Sequence, residues 1–394
     1  MILWPRCGRV SPAALATSAV DFESRMLERK SRRADLPFWL AVSLMIVMMT
    51  AAPAPAQKTP AAAVAPPTAP GELTKLADGV YAQVVNPDSD AVSNSGVVIL
   101  DSGVLIFDTH FTPEAGEALL EKVKAATPRP VRYVVDSHFH PDHTHGNQAF
   151  ATARQIIGST NTRRDMLQKD LPALNQAQTI AQNQVEQLSK EISQEQDAKM
   201  QESLRAQLAQ RLAFMRRMSG LRILAPGMTL DDSLSIIDGP REVQLLSLGI
   251  GHTDGDIVLY LPQEKIIFLG DLFFNDSLPN VEDANMLEWM KTLKEALKLD
   301  AKTFVPGHGQ VGTRADVEEF VTYLEDMKTL VEPAVTRGDT LEQVIHDLRL
   351  PSKYASYSFQ NFFPANLQKM YTELKASQSE KPQQEGVKKQ GLHS

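Results

Sequence analysis

The sequence predicts an α/β fold: two β-rich halves, each flanked by helices, with a helical hairpin inserted between them. Three observations lead there. Short apolar, β-branched runs bounded by turn residues recur on both sides of the chain's middle, as buried strands do. Between them, residues 165–218 are rich in Gln, Glu, Lys and Ala and almost free of Gly and Pro. Finally, histidines and aspartates gather where apolar runs end, most densely in His138-Phe139-His140-Pro141-Asp142-His143-Thr144-His145-Gly146.

The chain has 394 residues, long enough for two or three domains, and a hydrophobic fraction of 43%, that of a globular protein with a real core. A formal net charge of −8 gives no reason to expect nucleic acid or an anionic membrane as partner. The partner to expect is a small-molecule substrate. The single cysteine, Cys7, lies in a segment expected to be removed, so the mature chain would have neither a disulfide nor a cysteine ligand.

Residues 1–56 read as a signal peptide. Arg29, Lys30, Arg32 and Arg33 precede an apolar run over 36–49, and Ala54-Pro55-Ala56-Gln57 follows as a small-residue cleavage site. The apolar run is short of the ~20 residues of a spanning helix. The expected location is periplasmic or secreted, with no membrane association after cleavage, and the start is Met1 or Met26. Residues 57–71, rich in Ala and Pro, form a linker.

A catalytic domain is expected over 72–335. Runs at 80–85, 96–100 and 104–108 are strands, with Asp101-Ser102-Gly103 as a turn. Thr112 caps a helix that opens on Pro113 and reaches Ala126. Residues 131–135 are a strand, so the histidine-rich segment is the loop leaving it. A short helix from Asn147 and a strand at 155–158 follow. In the insertion, Leu167, Leu171, Leu174, Ala181, Val185, Leu188 and Ile192, then Met200, Leu204, Leu208, Leu212 and Met215, keep helical spacing. Polar residues 193–197 hold the turn. Such a hairpin serves as a lid near the pocket, a spacer, or the contact of a homodimer. Strands return at 234–237, 243–248, 257–261 and 266–269, then a helix at 283–299 and a strand at 303–305. Helices are expected at 314–333, 340–348 and 361–376, those over 336–376 forming a C-terminal unit, and 377–394 as a disordered tail.

Neutral imidazoles and carboxylates in one short loop suit borderline divalent metals, zinc first. His138, His140, Asp142, His143 and Gly146 fill the pattern His-x-His-x-Asp-His-x-x-Gly, and here the chain resembles the metallo-β-lactamase superfamily. The downstream His, Asp and His of that family fall on His252, Asp271 and His308. The resemblance implies a four-layer αβ/βα sandwich and two Zn2+ ions. His138, His140 and His252 would hold the first, Asp142, His143 and His308 the second, and Asp271 would bridge them. It further implies a metal-bound hydroxide that attacks a carbonyl, with Asp142 also orienting it and carrying a proton. No Gly-x-Ser-x-Gly elbow offers another nucleophile.

The bridging Asp271 together with His143 departs from the β-lactamase subclass with a Cys ligand and from the one lacking a bridging Asp. The reading is an exported dinuclear zinc hydrolase acting on a β-lactam, lactone, ester or thioester. The alternatives are a glyoxalase II-like thioesterase and an iron-dependent redox member of the same superfamily. His110, His145 and Asn275 are candidate substrate-binding residues from their positions beside the ligands.

Overall fold

The computed structural model describes residues 71–86 and 89–390, so the expected signal peptide and all but the last residue of the linker lie outside the described residues. Seven strands form the first sheet in sequence order: β1 Leu73–Ala77, β2 Val80–Gln83, β3 Ser95–Ile99, β4 Val104–Phe107, β5 Val131–Val135, β6 Gln155–Ser159 and β7 Met228–Leu230. Neighbours are antiparallel as far as β4 and parallel from β4 to β7. The second sheet runs β12-β11-β10-β9-β8, from β8 Ser233–Asp238, β9 Arg241–Leu246, β10 Val258–Leu261, β11 Ile266–Phe274 and β12 Thr303–His308.

Side chains alternate along each strand, and the alternation assigns the layers. Val98, Leu105, Phe107 and Val135 of the first sheet meet Leu245, Leu259, Phe268 and Val305 of the second in one core. Their neighbours Val97, Val104, Ile106 and Val134 face outward, where helix α1, Pro113–Ala126, covers them with Leu119 and Val123. Ile267 and Leu269 likewise leave the second sheet on its other face, under a layer of helices. This is the αβ/βα sandwich expected.

Each parallel pair needs a crossover. α1 supplies the one from β4 to β5; its cap is as expected, with Thr112 Oγ1 accepting from Ala115 N–H at 3.1 Å. The β5–β6 connection carries a single turn, α2 Pro141–Thr144, and a 3-10 segment, His145–Phe150. The β6–β7 connection is the helical insertion. It begins with α3 Thr160–Asp165 and a π-helical turn, Met166–Asp170, then the hairpin α4 Leu171–Gln194 and α5 Ala198–Ser219. Asp197 caps α5, its carboxylate accepting from the N–H groups of Lys199 and Met200. The apolar stripe is only partly covered: Leu174, Met218 and Leu221 gather with Phe214 and Ile223 near the root, while Leu171, Met200 and Leu212 are exposed.

On the second sheet, α6 Met286–Ala296 bridges β11 and β12, capped by Asn285. α7 Arg314–Arg337 passes Pro333, where it was expected to stop, because Val331, Ala334 and Val335 hold its last turns against the core. α8 Leu341–Asp347 and α9 Phe363–Gln390 complete that layer. α9 continues beyond position 377, where a disordered tail was expected. The Gln, Glu and Lys that made the tail look unstructured are also good helix formers. Residues 391–394 lie outside the described residues.

Trp289 of α6 is fully buried, donates its indole N–H to the Leu272 carbonyl at 3.0 Å and packs edge-on against His252. Trp289→Ala should therefore cost about 3–5 kcal/mol, read as a lower midpoint in chemical denaturation, whereas an exposed change such as Lys291→Ala should leave the midpoint in place.

Candidate metal centre

The centre lies where strands of both sheets end. β5 finishes at Val135, and the chain turns through Ser137 into His138 and His140. Pro141, preset for a helix start, then opens α2. The loop closes on the residues after β4: Thr109 N–H donates to His143 O at 2.8 Å, and Gly146 N–H to His110 O at 3.1 Å. A Cβ at Gly146 would collide with the Thr109 carbonyl, which is why the motif ends on glycine.

From the second sheet come His252, in the loop before β10, Asp271 and His308. Asp271 was expected in a turn after a strand ending near 269; it stands instead inside β11, which breaks register with β12 around Gly270 and continues to Phe274. The irregularity swings its carboxylate out of the sheet's alternation. His308 is the last residue of β12.

The seven residues converge as two groups whose ligand atoms lie within 4.8 Å of one another: His138, His140, His252 and Asp271, and Asp142, His143 and His308. Asp271 faces both. Its Oδ2 is 3.2 Å from His252 Nε2 and 4.0 Å from His138 Nε2, and its Oδ1 is 3.1 Å from His143 Nε2 and 3.4 Å from His308 Nε2. Asp142 Oδ2 is 3.2 Å from His308 Nε2. His140 Nδ1 and His252 Nε2 approach to 2.8 Å.

Buried polar atoms are normally paired. Here His138 Nε2 is buried in the cluster without a hydrogen-bond partner, and His143 Nε2 and Asp271 Oδ1, though 3.1 Å apart, do not meet in hydrogen-bond geometry. A divalent cation satisfies such converging lone pairs, so the donor set fits a metal. The electrostatics agree. Burial opposes charge on Asp271, yet His308, His143 and His252 hold its carboxyl well below the usual range. Burial also opposes charge on His143 and His308, yet the carboxylates, Asp271 foremost, hold His143 well above the usual imidazole value and push His308 up to about 9. Burial pulls His138 well down and His252 to about 3. Burial likewise opposes charge on His140, yet Asp283, Asp142 and Asp271 raise it, so the carboxylates favour positive charge on three of the imidazoles, charge that a bound cation would supply instead.

Most of the imidazoles are fixed from behind. Asp108 Oδ2 sits 2.8 Å from His143 Nδ1 and its Oδ1 accepts from Ser137 N–H at 2.7 Å. Asp283 Oδ2 is 3.1 Å from His140 Nε2, and Ser137 Oγ is 2.9 Å from His138 Nδ1. Each contact engages the outer nitrogen and leaves the inner one for the cluster. The sequence reading missed Asp108 and Asp283. Asp108 had a signal, a carboxylate ending the apolar run before the motif; Asp283 had none.

The three candidate substrate residues are engaged elsewhere. His110 is fully buried between Ser93 O and Gln83 Oε1, each 2.8 Å from a ring nitrogen. His145 is buried against Phe111, its Nε2 3.1 Å from Asp170 Oδ1. Asn275 fastens the His308 loop, donating its N–H to His308 O and Nδ2–H to Gln310 O. In each case nearby acceptors or backbone groups engage the residue.

The sequence profile of the Metallo-beta-lactamase superfamily matches residues 89–308, more than half of the chain. The chain belongs to this superfamily. Among curated proteins it is similar to a linear primary-alkylsulfatase of Pseudomonas sp., 24% identical over 65% of this chain and 50% of that protein. It is also similar to a type 2 metallo-beta-lactamase of Bacteroides fragilis, 37% identical over 24% of this chain and 39% of that one. The chain thus spans half or less of the length of these relatives. A solved metallo-beta-lactamase from Pontibacter korlensis aligns at a TM-score of 0.48 with 20% identity, over 64% of this chain and 98% of that one. Superfamily members bind metal through such His/Asp clusters. Asp108→Ala should weaken divalent-metal affinity by about 10–100-fold, the usual effect of removing the group behind a ligating histidine, as read by chelator competition.

Proposed function

We propose that this chain is an exported dinuclear zinc hydrolase acting on a carbonyl compound: a β-lactam, lactone, ester or thioester. The observation that carries the reading is Asp271, one carboxylate facing both groups of histidines with a different oxygen toward each. His138, His140 and His252 would hold one ion and Asp142, His143 and His308 the other, with Asp271 shared. Two ions so held would supply Lewis acidity and would lower the pKa of a water from ~15.7 toward ~7.

The chain's own residues do the rest. Asp142 has the most exposed side chain among the carboxylates and rings of the set, 21% against 7% or less for Asp271, His143 and His308. It is therefore the group placed to orient a water and pass a proton toward solvent. Asp108 and Asp283 hold His143 and His140 in place, so little reorganisation accompanies reaction. A second reading, hydrolysis of a sulfate ester by the same centre, has one specific support: the similarity to a linear primary-alkylsulfatase across 65% of this chain.

A hydrolysis screen of purified protein against β-lactams, lactones, thioesters, carboxylic esters and alkyl sulfates decides between them; turnover of alkyl sulfates alone would replace the carbonyl reading. Metal analysis should return close to two zinc ions per chain, and iron in their place would move the chain to a redox role. Asp271→Ala should lose metal at both positions, and a variant with full metal and full activity would remove the bridging assignment. Export rests on the basic, apolar and small-residue segments before Gln57. Intact mass of protein from the native envelope should place the mature N-terminus within a few residues of Gln57; a retained Met1 or Met26 would overturn cleavage.

A further inference from the structure

The root of the helical insertion is tied to both loops that carry the histidines. On one side, Ser159 Oγ and Thr162 Oγ1 donate to Gly255 O at 2.7 and 3.0 Å, and Asn161 Nδ2 donates to Asp254 O at 2.7 Å. The Arg164 guanidinium grips the Asp254 carboxylate at 2.8 and 3.0 Å. These bonds hold the loop that follows His252. On the other side, the π-helical turn Met166–Asp170 reaches the motif loop with two adjacent residues. Asp170 takes His145, and Lys169 places its ammonium 4.8 Å from the Phe139 ring centroid, between two ligating histidines in sequence.

Lys169 goes further. Its Nζ donates to Asp283 Oδ1 at 2.7 Å, and the other oxygen of that carboxylate, Oδ2, lies 3.1 Å from His140 Nε2. His140 then presents Nδ1 to His252 Nε2 at 2.8 Å. One polar line thus runs from the insertion to the inner cluster. Single-turn π segments inside helices collect at functional positions, and this one supplies the line's first member.

We infer that Lys169 is a positioning residue for His140, so that the root of the insertion sets the metal affinity of the cluster His138, His140, His252 and Asp271. With one oxygen held by Lys169, the Asp283 carboxylate is aimed so that its second oxygen takes the Nε2–H of His140. That fixes the tautomer that leaves a lone pair on Nδ1. Without the ammonium the carboxylate is free to rotate toward solvent. Lys169 itself is 43% exposed and also pairs with Asp165 Oδ2 at 3.0 Å, but Asp165 keeps Arg164 and Asp283 keeps His140, so loss of the ammonium strands neither buried carboxylate without a partner. The fold should therefore tolerate its loss while the ligand should not. The inference rests on the proposal that His140 binds a metal.

The test is zinc competition against a chromophoric chelator, with mature full-length protein, alongside denaturation of the metal-free form. Lys169→Met should weaken the affinity of one of the two zinc ions by about 10–100-fold and leave the denaturation midpoint of the metal-free protein unchanged. Lys169→Arg, which keeps a cation at that place, should recover most of the affinity. If the unaltered protein binds zinc and Lys169→Met binds it equally well, the inference fails and the functional reading stands. If the unaltered protein binds no zinc, both fall. A Lys169→Met protein whose lost affinity comes with an equal loss of metal-free stability would also overturn it, since that is a structural role.

Discussion

Four imidazoles meet on the single carboxylate of Asp271, two from each side of the sandwich. His138 and His143 come from the loop after β5, and His252 and His308 from the second sheet's loop and strand end. No one sheet can build this arrangement. The spacing between the layers, set by how Phe107, Val135, Leu259, Phe268 and Val305 fill the core, is therefore also the spacing of the ligands. Packing interiors at crystal-like density resist small changes in volume, and the stiffness of that core becomes the stiffness of the centre.

The same requirement explains local choices that look unrelated. Gly146 lets the motif loop press on the Thr109 carbonyl, and Gly307 lets β12 pass beside the Asp271 carboxylate, which a Cβ would strike. Asn94 laces the first sheet to the second from the other direction, donating its amide to the carbonyls of Pro306 and Gly309. These contacts bring backbone closer to the cluster than side chains would permit.

Much of this was legible because it is local. Thr112 and Pro113 announce a helix start through the chemistry of one turn, and the hairpin shows in the spacing of Leu, Ile, Val and Met. The metal motif is compact enough to read directly, and its downstream partners follow apolar runs that feed the site. What failed to show is long-range. Asp283 reaches His140 across a separation of 143 residues, and no spacing rule links them. His110 and His145 looked available because a sequence shows proximity to ligands but not the acceptors that claim a ring from another strand, as Gln83 and Asp170 do. The strands β1 and β7 are hard to read for a related reason: half-exposed edge segments carry a weak apolar pattern. The end of α9 is not legible for another reason: polar composition reads the same in a helix and in an unstructured tail.

The insertion is the connection between two strands that pair in parallel, β6 and β7. Strands joined that way cannot zip from a tight turn; their ends must find each other across everything that lies between. An unstructured segment of that size would make the encounter slow. α4 and α5, however, form an antiparallel pair through local contacts and return the chain close to where it left, as the cluster of Leu174, Phe214, Met218 and Leu221 shows. For the folding chain the hairpin acts as a short loop. Turns added or removed at its far end would change the protein's outline while leaving the closure of the first sheet, and the order in which its strands assemble, as they are.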